Sequence, residues 1–307
     1  MRLKEQGTGY FVPFYARRAR RILPPYLVFL LAAGSLLSFP WARVCYWYVF
    51  FGANFPLALG KSTVEALTPL WSLAVEEQFY LVWPWIVLFC GTQTLRRVAL
   101  ATVLFSPVIR AVATPLFSSH FPIYCLTFFR ADTLAFGAFL AAAQHEDGEW
   151  IRSRRRAGLV ALISATSLFG LLAALPSFHP AANSVLFNSL GYSLSVIAFG
   201  GALVYVLTIQ RGMVHFVLSA KPIRYLGQIS YTFYLYHVAI LQQTALQVKS
   251  PWARGMIGFA ITLGVAAISW HLLEQPILEG WHWNWRIRPH ATLRETCAPA
   301  ELGSELP

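Results

Sequence analysis

Long uninterrupted apolar runs constrain this chain more than any other feature. They recur as blocks of about 17–23 residues separated by short polar or basic loops, and about 20 such residues cross the roughly 30 Å hydrocarbon core of a bilayer as one helix. The blocks lie near 23–39, 73–91, 98–117, 124–143, 157–175, 186–208, 225–246 and 255–273. None shows the ten-residue alternation of a barrel strand. The expected fold is therefore all-α, a polytopic transmembrane helical bundle of eight spans. Composition agrees, because 57% of the 307 residues are hydrophobic and only 12% charged, against about 25% charged in a soluble domain.

Basic residues orient the bundle. The net charge of +11 sits in the loops between apolar blocks, where arginine and lysine mark cytoplasmic ends; it does not point to nucleic acid. With the N-terminus inside, eighteen of the 24 basic residues fall in cytoplasmic loops, so both termini are expected in the cytoplasm. Residues 41–59 are aromatic and fairly apolar but contain Arg43, Asn54 and Pro56. A ninth span there would move most downstream arginines outside, so the segment is expected to be interfacial or re-entrant. Residues 1–275 form the transmembrane domain in this reading. Residues 276–307, with Trp281, Trp283 and Trp285, form an interfacial anchor followed by a disordered cytoplasmic tail.

Against this background two adjacent carboxylates, Glu76 and Glu77 in WSLAVEEQFYLVWPW, are the anomaly. A charged side chain at the centre of a span costs roughly 2.5–3.5 kcal/mol on insertion scales and persists where it faces a polar interior, a partner or a substrate. Ser72 is expected to cap the helix. Glu76, Tyr80 and Trp83 then share one face, with Glu77 one stripe over. Other polar groups in spans are Arg110, beside Pro107 and Pro115, and Arg130 with Asp132, which point apart on a helix. Ser230, Tyr234 and His237 follow at helical spacing, with Tyr231 one stripe over. Each has a structural alternative: Arg130 bridging Glu76 or Glu77 would simply hold helices in register, and a lone histidine is usually a bonded core residue. An imidazole can nevertheless both take and give a proton, so His237 is a candidate acid or base. Gly137 and Ala141 are expected to permit close helix packing.

Cys45, Cys90, Cys125 and Cys297 are too scattered for a zinc site or a disulfide framework. No phosphate loop, nucleophile elbow or HExxH helix occurs. On the residues alone, an enzyme, a transporter and a flippase remain open.

Five stretches in order, FYARRARRILPPY, WSLAVEEQFYLVWPW, FFRADTLAFGAFLA, YLGQISYTFYLYHVAI and LLEQPI, resemble the membrane-bound acyltransferase family 3, of the type that O-acetylates bacterial surface polysaccharides. The resemblance covers about residues 14–277. It implies an O-acyltransferase of the bacterial cytoplasmic (inner) membrane, moving an acyl group, commonly acetyl from cytoplasmic acyl-CoA, to a hydroxyl of an extracytoplasmic polysaccharide or lipid-linked sugar. No bound cofactor is implied. By matching motif, Arg17, Arg18 and Arg20 are the CoA-side residues, and arginine forks suit phosphate. Glu76, Glu77 and His237 are the catalytic candidates. Trp71, Ser72, Tyr80, Arg130, Asp132, Ser230, Tyr231 and Tyr234 are expected to line the same substrate cavity, as is Arg110 from its place between two prolines, with the carboxylates and the Arg130 and Asp132 region toward the face opposite the arginines. Family members begin with two further helices, the first carrying a histidine regarded as the base. The chain is thus read as N-terminally truncated relative to the family, with His237 or a glutamate left to substitute, or the polypeptide inactive. The competing reading is a transporter or flippase of a surface-glycan precursor, whose mark would be an internal repeat.

Overall fold

The computed structural model describes residues 11–37, 41–61 and 63–280, and among them there are helices and loops but no strand. The first helix, α1 (Phe11–Leu36), is 26 residues long. It runs straight through the basic cluster instead of beginning after it, as the apolar run had suggested. Alanine and arginine are good helix formers, so a cluster of arginines interrupts hydropathy without interrupting the helix. Pro24 and Pro25 lie inside α1 and free the carbonyls one turn earlier.

Two short helices follow, α2 (Trp41–Val49) and α3 (Asn54–Ala58). At 9 and 5 residues neither can cross a bilayer alone. The chain turns between them at Phe51, whose φ of 52° is rare for a bulky residue. Stacking on Tyr26 (4.9 Å) and a hydrogen bond from Gln78 Nε2 to the Phe51 carbonyl (2.8 Å) hold that conformation.

The long elements then alternate with short ones. They are α4 (Leu70–Phe89), α5 (Thr92–Ala113), α6 (Phe121–Cys125), α7 (Thr127–Glu146), α8 (Trp150–Ser153), α9 (Arg155–Ala173) and α10 (Tyr192–Thr208). Next come α11 (Met213–Ser219), α12 (Lys221–Gln247), α13 (Pro251–Ser269) and α14 (Gln275–Gly280). Wide π-turns at Phe187–Gly191 and Trp270–Glu274 lead into α10 and join α13 to α14.

Among the described residues, five stretches are long and apolar enough to cross a membrane: Thr92–Leu116, Phe121–Glu146, Arg155–Ala173, Phe187–Thr208 and Pro251–Glu279. The other long helices, α1, α4 and α12, have 26, 20 and 27 residues. Their arginines, carboxylates and hydroxyls dilute the apolar character, and these three helices face one another. Ring and hydroxyl contacts pair Phe11 with Trp85 (4.4 Å) and Tyr15 with the Leu81 carbonyl (3.2 Å), so α1 and α4 run antiparallel. On the other side of α1, the Tyr231 hydroxyl donates to the Ile22 carbonyl at 3.1 Å. A core of Tyr26, Phe29, Leu30, Leu70, Leu73 and Leu235 closes the space beyond.

The second half of the bundle is α5, α7, α9 and α10, packed more tightly. A Cβ at Gly201 would stand 2.6 Å from the Gly158 carbonyl oxygen, so α9 and α10 meet backbone to backbone only because both positions are glycine. Gly137, expected to serve this purpose in α7, borders open space instead. The sequence motif was right in kind but the azimuth of α7 turns that glycine away from its neighbours. The expected tail, including Trp281, Trp283, Trp285 and Cys297, lies largely outside the described residues, which end with α14.

Candidate functional site

A cavity of about 550 Å³ opens between α1, α4 and α12. From α4 it receives Ser72, Glu76 and Tyr80, which recur every four residues and so share one face. From α12 come Ser230, Tyr231 and Tyr234, and from α1 Arg18 and Arg21. Glu76 and Tyr80 of the stripe expected on α4 and Ser230 and Tyr234 of the stripe expected on α12 thus meet across one space, which Trp83 does not line. The Arg18 guanidinium lies 3.4 Å above the Tyr80 ring and 5.1 Å from Phe14, a stacked geometry that suits its planar cation. Arg18 acts electrostatically on both Glu76 and Glu77. No ion pair closes between them among the described residues.

Ser72 is not the cap of α4, because the helix begins at Leu70 and Ser72 lies within its first turn. Its Oγ instead shares a 2.5 Å hydrogen bond with Tyr234 Oη, which also donates to the Pro69 carbonyl at 2.8 Å. These bonds tie the start of α4 to the middle of α12. Glu77 turns to the other side of Tyr80, into a smaller concavity of about 320 Å³ shared with Arg18, Gln78 and Phe51. Its Oε1 is buried with no hydrogen-bond partner. Such an oxygen is costly to leave unpaired.

A third concavity, about 700 Å³, adjoins these at the N-terminal end of α1 and gathers Arg17, Arg18, Arg20 and Arg21 against Phe14 and Leu278. Arg18 and Ile22 border all three spaces. The expected separation of arginines and carboxylates by the thickness of the bundle therefore does not hold. Because α1 extends past its cluster, Arg18 reaches the level of Tyr80 and Glu76.

Four other groups expected at this site lie outside this cavity or without the expected partner. Arg110 and Asp132 do not line the cavity: Arg110 Nη1 bonds Asp132 Oδ2 at 2.7 Å, with side-chain exposures of 0% and 2%. The Phe129 carbonyl and Ser193 Oγ take two more guanidinium protons, each at 2.8 Å, and this pair locks α5 to α7 and α10. Arg130 bridges neither glutamate; it sits 4.5 Å over the Tyr192 ring. Trp71 packs on Tyr124 at 4.5 Å, outside the cavity wall. His237 also lies beyond it, with Nδ1 2.7 Å from the Tyr234 carbonyl one turn back, so its own helix occupies that nitrogen.

Sequence reasoning overlooked the framework beneath the carboxylates. Gln78 Nε2 donates to Asn54 Oδ1 at 3.0 Å, Thr127 Oγ1 donates to Gln78 Oε1, and Asn54 Nδ2 donates to the Cys125 carbonyl at 3.3 Å. Asn54 is wholly buried. Two amides inside apolar stretches were the available signal, since each needs a partner there.

Comparison with known proteins decides the lineage. The profile of the family described as "Acyltransferase domain", family 3, matches residues 8–271. The chain belongs to that acyltransferase family. Among curated proteins, this acyltransferase chain is 26% identical to the peptidoglycan O-acetyltransferase OatA of Listeria monocytogenes, over 86% of the chain and 46% of that protein. It is 25% identical to the O-acetyltransferase OatA of Staphylococcus aureus, over 86% of the chain and 47% of the relative. The chain spans about half the length of the curated relatives it matches. No solved structure matches it. These matches lend no support to the transporter or flippase reading. For an acyltransferase, the arrangement offers a carboxylate to take a proton, a cation beside it, and an arginine-lined approach to both.

Proposed function

We propose that this acyltransferase domain moves an acyl group, acetyl being the simplest case, from cytoplasmic acyl-CoA to a hydroxyl of an extracytoplasmic glycan. One observation carries the reading: Arg18 belongs both to the arginine concavity and to the cavity of Glu76. Phosphates of the donor are held by Arg17, Arg18, Arg20 and Arg21, whose planar forks match phosphate oxygens. The thioester end then reaches into the space between α1, α4 and α12.

There Glu76 takes the proton of the acceptor hydroxyl as its oxygen attacks the thioester carbonyl. Arg18, fixed over Tyr80, faces the negative charge that develops on the carbonyl oxygen. The carbon–sulfur bond breaks, the new ester forms, and the proton on Glu76 passes to the departing thiolate. Glu77 supplies a second carboxylate on the far side of Tyr80. The bundle holding this site is read as eight spans of the bacterial inner membrane with both termini cytoplasmic, since α1, α4 and α12 are each long enough to cross and basic residues crowd one side. Peptidoglycan, named for the Listeria relative, is one acceptor of the proposed class.

The test is Glu76→Gln in the natural protein, with ester formed on the acceptor measured by mass spectrometry. Transfer should fall at least about a hundredfold while membrane insertion and elution from a sizing column stay unchanged. Transfer at the unsubstituted rate would remove Glu76 from the reaction.

A further inference from the structure

Arg130 stands out among the arginines of the bundle. It is half-buried and, among the described residues, makes no hydrogen bond and no ion pair; its contacts are the rings of Tyr192 at 4.5 Å and Tyr124 at 6.0 Å. The nearest acid in its own helix, Asp132, is committed to Arg110 through Oδ2 and to the Thr133 amide through Oδ1. Contact with two ring faces recovers only part of what a guanidinium loses on leaving water.

The surroundings repeat this pattern of unmet bonding. Tyr192 is 8% exposed and its hydroxyl is buried without a hydrogen-bond partner. Trp71 lies tilted against Tyr124 at 4.5 Å, so the cation is flanked by a run of aromatic faces. This shelf also leads somewhere. Trp71 immediately precedes Ser72, which lines the Glu76 cavity and shares a hydrogen bond with Tyr234. Because α1 and α4 are antiparallel, Trp71 lies beyond Glu76 on the side away from the arginine concavity of α1. The shelf thus lies toward the end of the site away from those arginines.

We propose that Arg130, Tyr192, Tyr124 and Trp71 form a binding shelf for an acidic sugar of the acceptor, its carboxylate on Arg130 and its ring against the aromatic faces. The inference rests on the acyltransferase reading above and adds the chemistry of the acceptor. A guanidinium offers two parallel N–H groups to a carboxylate, and aromatic side chains combine an apolar face with a polar tip suited to a sugar's mixed surface. Phosphate of a lipid headgroup presents the same charge without the ring, and the experiment separates the two.

Full-length protein in neutral detergent is titrated calorimetrically with methyl glucuronide and with methyl glucoside, which share a ring and differ in the carboxylate. The acidic sugar should bind at least about tenfold more tightly, a step worth about 1.4 kcal/mol. Arg130→Gln should erase that preference, and Arg130→Lys, which keeps the charge but not the planar fork, should restore part of it. Equal affinity for the two sugars, binding of neither, or a preference that survives Arg130→Gln would overturn the proposal. Displacement of the glucuronide by phosphatidylglycerol in the micelles would also overturn it, in favour of the lipid. Sugar binding is read without any acyl transfer, so loss of the catalytic reading would leave this result standing, and the reverse.

Discussion

Two of the arginine and carboxylate groupings in this bundle are solved in opposite ways. Arg110 and Asp132 are sealed between α5, α7 and α10, with a 2.7 Å ion pair and two further acceptors on the guanidinium. Arg18, Glu76 and Glu77 face cavities, and no such pair closes. Burying charge is repaid only where the geometry is complete. The first group comes close to that condition within the protein, with Arg110 Nε left without a partner, and holds helices together. The second leaves it unmet, which is what a site needs in order to favour a ligand over its own side chains.

The largest effect that would break this contrast is on the sealed side. Asp132→Ala leaves Arg110 buried without its counter-charge and should cost about 3–5 kcal/mol, seen as a much lower melting temperature in detergent or as loss of the protein from membranes. Wild-type melting would show that Arg110 does not depend on the pair. Next comes the framework under the open site. Gln78→Leu leaves the Asn54 amide and the Thr127 hydroxyl with fewer partners and should lower stability by about 1–3 kcal/mol; an unshifted urea or thermal midpoint would refute that.

The open side predicts the reverse sign. Glu77→Leu removes a buried oxygen that lacks a partner, so stability should rise by about 1 kcal/mol while acyl transfer falls. A variant that is both less stable and fully active would erase the distinction between the two regions. The smallest expected change is Ser72→Ala, at about 0.5 kcal/mol, because Tyr234 keeps its bond to the Pro69 carbonyl; hydrogen exchange at the start of α4 would detect the loosening.

The sequence displayed some of this and hid the rest for reasons that can be named. Helical spacing put Glu76 and Tyr80 on one face of α4 and aligned Ser230 with Tyr234 on α12; both faces line the cavity, where Ser72, read as a cap, joins them. His237 and Trp83 extended the same stripes and are not in it. A stripe continues for the length of its helix, whereas a cavity lasts only as long as neighbouring helices stay apart. Arg110 and Asp132 were recognised as polar groups needing partners. That they partner each other depends on the 22-residue separation between α5 and α7 being closed by packing. Charge density made the arginines of α1 look like a loop before a span. In the folded chain they belong to the helix itself, and Arg18 gains a site in consequence.

By itself the sequence determined that the chain is helical, that much of it suits a bilayer, and that its polar exceptions fall on particular helix faces. Those outcomes follow from local backbone geometry and from the cost of exposing apolar surface to water. Tertiary structure alone decided which faces meet. Helical periodicity specifies the angle between residues of one helix but not the rotation of that helix against its neighbours, and this rotation separates an arginine sealed on aspartate from one waiting beside glutamates.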